Sequence, residues 1–157
     1  MPQQPVQASR QKPVAAEMMK DDKYGSAAQI MALPLPKLVA VLQDPNASVY
    51  AKAKACQRLA VVGDKSTVPA LASLLPHAQL SHYARIALEP MPDRSADEAL
   101  RTSLGKVQGK LLVGVISSIG KRRDRNAITA IEKLRHESDG DVAGAADAAL
   151  ARIRPPL

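Results

Sequence analysis

Three histidines, one cysteine and a short run of cations are the side chains in this 157-residue sequence with the clearest chemical reach. His77 and His82 stand five residues apart, a spacing that does not stack them on one helical face. No carboxylate at metal-ligand spacing accompanies these two, His136 is the only other histidine, and no metal site is expected. Cys56 lies in the Ala-rich run AKAKACQRLA, where a lone cysteine reads as a small buried apolar side chain rather than a nucleophile. No glycine-rich phosphate loop or nucleophile elbow is visible, and close packing inside a helical repeat is the expected reason for Gly105, Gly109 and Gly114. The sharpest local feature is KRRDR, Lys121 to Arg125, with Lys121, Arg122, Arg123 and Arg125 gathered just beyond an expected helix end. Such cations grip phosphates through charge-assisted hydrogen bonds. They also offset a helix dipole, and Asp124 neutralises part of the run. Catalytic residues and cofactors are not expected, and the chain reads as a non-enzyme.

These side chains must be carried by elements with an unusual core. Tyr24, Tyr50 and Tyr83 are the only aromatics, so the interior must be built from Leu, Ile, Val and Ala, which suits closely approaching helices. A short apolar helix followed by an Ala-rich helix recurs four times. The first helices read LPKLVAVL (35–42), VPALASLL (68–75), DEALRTSL (97–104) and NAITAIEKL (126–134), with Leu38, Leu71, Leu100 and Ile131 in equivalent places. The second helices span 48–63, 80–91, 109–120 and 141–153. Pro36 and Pro69 fall in opening turns, where a missing N–H costs little. Asp44 to Asn46 and Glu137 to Gly140 read as turns within repeats, and Gly63 and Gly120 as left-handed caps that end their helices. The expected fold is all-α, an α-solenoid of about four stacked helix pairs over 26–154, with repeats at 34–63, 64–92, 93–120 and 121–154. Residues 26–33 predict a capping helix, and 1–25, rich in Pro, Gln and Lys, a flexible tail.

The segments AKACQRLAVVGDKSTVPALASLL, LSHYARIALEPMPD and GKLLVGVISSIGKRRD resemble bacterial HEAT-repeat proteins over about residues 36–153. They are similar to the short, phycobilisome-lyase-type HEAT repeats found in planctomycete and verrucomicrobial lineages. The resemblance implies an armadillo-like superhelix and export to the periplasm or beyond, although no signal peptide is visible in the chain; a cytoplasmic location is the alternative. It implies no reaction.

The formal charge of +7 divides +1, +3 and +3 over 1–25, 26–92 and 93–157, a diffuse field that permits acidic or nucleic-acid partners without naming one. No segment reaches the roughly 20 apolar residues of a membrane span. The expected function is a protein-interaction scaffold. Its concave face would hold an acidic or extended partner through Lys54, Arg58, His82, Arg85, Lys110 and the Lys121–Arg125 loop. Nucleic-acid or phosphate binding through that loop is the alternative, and a lyase or glycosylase activity rests on fold analogy alone.

Overall fold

The computed structural model describes residues 19–137 and 139–154, and among these every regular element is helical. The helices are α1 (Ala27–Met31), α2 (Leu35–Gln43), α3 (Val49–Val62), α4 (Val68–Ala72), α5 (Ser81–Leu88), α6 (Arg94–Ser103), α7 (Gly109–Arg122), α8 (Ile128–Leu134) and α9 (Gly140–Ile153). Single 3-10 turns, Lys65–Thr67 and Arg125–Ala127, lead into α4 and α8.

The apolar stripes read from the sequence decide the packing. Leu38, Leu71, Leu100 and Ile131 are fully buried on α2, α4, α6 and α8, each contributing about 1.5–3 kcal/mol of transfer free energy. The small-residue helices pack in series, α3 on α5, α5 on α7 and α7 on α9, and α4 joins α2 to α6. Within pairs, α2 packs on α3, α4 on α5, α6 on α7 and α8 on α9, while α1 lies against α3. Ala55, Ala84, Val115 and Ala146, all buried, mark the interior of the second helices, where short side chains let backbones approach.

Turn chemistry repeats with the helices. Asp64, Asp93 and Asp124 each stand seven residues before the buried Leu71, Leu100 and Ile131. Each accepts a hydrogen bond from a backbone N–H two residues on, at Ser66 (2.9 Å), Ser95 (2.8 Å) and Asn126 (3.1 Å). Asp44 and Asp139 do the same for Asn46 and Asp141. In the α4–α5 link, where no aspartate is present, His77 Nδ1 takes over and accepts from Gln79 N–H and Leu80 N–H at 3.1 and 3.2 Å.

Several expectations are corrected. Gly120 does not end its helix: α7 continues to Arg122, and the left-handed residue is Arg123, with φ 54°. Gly120 is required by close approach, because a Cβ there would stand 2.9 Å from the Cα of Ala149 on α9. Gly63 follows α3 with φ −63°, so it is no left-handed cap either; its amide donates to Leu59 O at 2.8 Å, and a Cβ would crowd that same carbonyl. Gly105 and Gly109 have open space around them, so packing does not explain them; Gly109 instead adopts φ +57° as α7 begins. The third first helix starts earlier than expected, at Arg94, because Asp93 caps it, and the second ends early, at Ala72.

The expected flexible tail covers 1–25, of which 1–18 lie outside the described residues, as do Ser138 in the expected 137–140 turn and 155–157. Residues 21–25 are tied down. Asp21 and Gly25 exchange two backbone hydrogen bonds of 2.8 Å, and Asp21, 4% exposed, accepts from the amides of Lys23, Tyr24 and Ser48. Lys23 Nζ and Tyr24 OH both donate to Asp44 Oδ2, at 2.8 and 2.5 Å, so this loop clasps the α2–α3 turn.

Candidate binding surfaces

The basic run Lys121–Arg125 is divided by the helix that carries it. Lys121 and Arg122 form the last turn of α7, and a helical turn points them in different directions. Arg122 points inward and its side chain is 8% exposed. Its guanidinium forks onto Asp97 on α6, Nε to Oδ1 at 2.6 Å and Nη2 to Oδ2 at 3.1 Å. The same group donates to the carbonyls of Leu88 and Glu89 at 3.0 Å, Asp93 at 3.2 Å, and Met91. Those carbonyls flank Pro90 and Pro92, which have no N–H to donate, in the link from α5 to α6. Arg122 therefore clamps α5, α6 and α7 together, and the expected four-cation loop loses one of its members.

Asp124 is also drawn inward. Its Oδ2 pairs with Arg101 Nη1 at 2.5 Å while its Oδ1 caps the Arg125–Ala127 turn. It therefore neutralises Arg101 on α6 rather than its sequence neighbours. Arg123 and Arg125 are exposed and make no ion pair among the described residues. Together with Arg94 they line a cleft of about 490 Å³ between the start of α6 and the α7–α8 turn, whose walls also include Glu98 and Asn126.

The expected polar stripe on α5 separates into inner and outer residues. His82 is exposed, with its ring edge-on to Tyr83 at 5.6 Å. Arg85 turns into the α5–α7 seam, its side chain 16% exposed, where Nη1 donates to Gly114 O at 3.2 Å and Ser118 Oγ at 3.3 Å. Gly114 makes the room, since a Cβ there would stand 2.7 Å from the guanidinium carbon. Burial lowers the Arg85 pKa, and Glu89 beside it partly restores the charged form. Glu89 accepts from Ser118 Oγ at 2.7 Å and lies 3.5 Å from Lys121 Nζ. Arg85 and Glu89 thus belong to a cross-helix network, not to an open groove face.

Lys54 and Arg58 on α3 are half-buried. Lys54 Nζ stands 5.6 Å over the Tyr50 ring and donates to Gln57 Oε1 at 3.2 Å. Lys110 is exposed at the start of α7, on a groove of about 440 Å³ that it shares with Val113, Ala145, Asp139 and Asp141.

No three His, Cys, Asp or Glu side chains converge among the described residues in the manner of a metal site. Cys56 is fully buried, and burial pushes its thiol up to about 12. Among the described residues no helix is long and apolar enough to cross a membrane. The residues that sequence reasoning passed over are Arg94, Arg101 and Asn126, brought to the basic turn by tertiary packing of α6. No family model matches the chain, and no curated protein is similar enough to count as a match.

Proposed function

We propose that the chain is a short HEAT-type α-solenoid that serves as a protein-binding scaffold. The observation that carries this reading is the serial packing of α3, α5, α7 and α9, each on the next, with equivalent leucines and isoleucine buried on the alternate helices. A stack built this way grows a continuous face from its second helices, and such faces suit extended polypeptides. His82 and Lys110, exposed on that series, with the half-buried Lys54 and Arg58, give the face a basic character that fits an acidic partner. Export, which the family resemblance implies, belongs to the same proposal. The nucleic-acid alternative is weakened because Arg122 is committed to Asp97 and to backbone carbonyls.

The test is photo-crosslinking from positions 58, 82 and 110 in the source cell, followed by separation of cytoplasmic and envelope fractions. A discrete protein adduct that requires these positions is expected. Uniform labelling of abundant proteins, equal to that from exposed positions on α8, would sink the scaffold reading.

A further inference from the structure

We infer that the cleft between the start of α6 and the α7–α8 turn receives a compact cluster of oxyanions on a partner polypeptide, held by Arg94, Arg123 and Arg125. The inference rests on the scaffold reading and gives it a specific anchor. Five arginines line this cleft, but two are already spent: Arg122 on Asp97 and Arg101 on Asp124. These internal pairs hold the walls together and leave three exposed guanidinium groups facing one carboxylate, Glu98, that makes no ion pair among the described residues.

The chemistry of the three groups narrows the ligand. Guanidinium groups present planar forks that bind carboxylate or phosphate oxygens in pairs, where an ammonium offers only a point charge. Arg94 begins α6 and Arg125 begins the 3-10 turn before α8, and Asp93 and Asp124 already cap these two starts, so the positive field of the cleft comes from the guanidinium groups themselves. The Arg123 amide donates to Gly120 O at 3.0 Å, which fixes the backbone from which its side chain reaches the cleft. The exposed amide side chain of Asn126 supplies a further donor.

Shape separates a polypeptide from a nucleic acid. Duplex DNA carries a charge about every 1.7 Å of its axis and is matched by an extended row of cations. Here three cations unpaired among the described residues, Arg94, Arg123 and Arg125, gather in one cleft, three carboxylates share its walls, and no tyrosine lines it to stack a base. A phosphorylated residue or two adjacent acidic side chains fit this arrangement.

Fluorescence anisotropy on the full chain tests it, using a labelled peptide containing four consecutive glutamates, a labelled neutral peptide with one phosphoserine, and mixed-sequence duplex and single-stranded DNA. The decisive variant is Arg94→Glu with Arg125→Glu, because both side chains are exposed and make no ion pair among the described residues, so the fold should be kept. Circular dichroism checks this, and Arg94→Gln with Arg125→Gln replaces the pair if it is not. Binding of either peptide at low salt, weakened at least about tenfold in the folded variant, is expected. Which peptide binds tells the carboxylate source from the phosphoryl one. The site is overturned if wild type binds neither peptide, if the variant binds as well as wild type, or if DNA binds more tightly than both through the same arginines. A crosslinked partner captured equally by wild type and variant would leave the scaffold reading intact and remove this anchor alone.

Discussion

A methyl group on Gly120 would stand 2.9 Å from the Cα of Ala149 and 3.0 Å from its Cβ, so α7 and α9 touch at near-backbone distance. An alanine in a helix interior ordinarily gains about 0.5–1 kcal/mol over glycine. At position 120 the gain is reversed, because the obstacle is another helix's backbone, and Gly120→Ala should cost about 1–3 kcal/mol. Gly144→Ala on the open face of α9 is the control, since nothing lies within 4 Å of its added methyl, and it should stabilise by about 0.5–1 kcal/mol. Urea denaturation of both variants checks the opposite signs.

Removing Arg122 leaves Asp97 and the carbonyls of Glu89 and Met91 without their donor, while the carbonyls of Leu88 and Asp93 keep the amides of Met91 and Ala96. Arg122→Ala is expected to destabilise by about 2–4 kcal/mol, somewhat below the figure for a fully buried pair because the Asp97 side chain is 19% exposed. Arg122→Lys should recover little of this, since one ammonium cannot serve a carboxylate fork and the carbonyls beyond it. Thermal unfolding that found lysine equivalent to arginine would contradict the clamp.

Asp21 gives the N-terminal clasp a pH dependence. Burial favours its protonated form, but hydrogen bonds from Ser48, Tyr24 and Lys23 outweigh this and hold its pKa at about 2, below the ordinary 3.8. A depressed pKa means the anchor contributes in full above the ordinary value and is lost as pH falls toward the folded one. The anchor's contribution to stability should therefore fall away between about pH 4 and pH 2, and the Ser48 amide resonance of the folded wild type should titrate with its midpoint near pH 2. In Asp21→Asn that step should vanish.

Cys56 should be silent until the chain opens. With its thiol pushed up to about 12 and no exposed surface, modification by a disulfide reagent at pH 8 should proceed at the rate of unfolding. Cys56→Ser should cost about 1–3 kcal/mol by burying a hydroxyl. Rapid labelling of the native protein would show that α3 opens locally.

The apolar stripe was legible in the sequence because it repeats: Leu38, Leu71, Leu100 and Ile131 are all fully buried. Helix ends were less legible, since Gly120 reads as a stop in isolation and only the position of Ala149 reveals its purpose. The candidate site was legible in part. A run of four cations reads as solvent-facing, and the carbonyls that capture Arg122 come from residues 88–93, about thirty positions away. A usable signal did exist, in the aspartates at 64, 93 and 124 that keep step with the buried stripe. Apolar periodicity alone passes over it. His77, weighed as a metal ligand, shows the same limit, because its role as a turn cap depends on amides that the fold turns back toward it.

The Arg122 clamp also bears on how the chain can vary. The link from Glu89 to Asp93 offers its carbonyls to one guanidinium whose own position is set by α7. Adding or deleting one residue there would move those acceptors out of reach, whereas the exposed stretch 76–79 has no such cross-helix partner among the described residues. Insertions should therefore be accepted between α4 and α5 and rejected between α5 and α6, which makes the first of these links the place to carry a tag or a grafted loop.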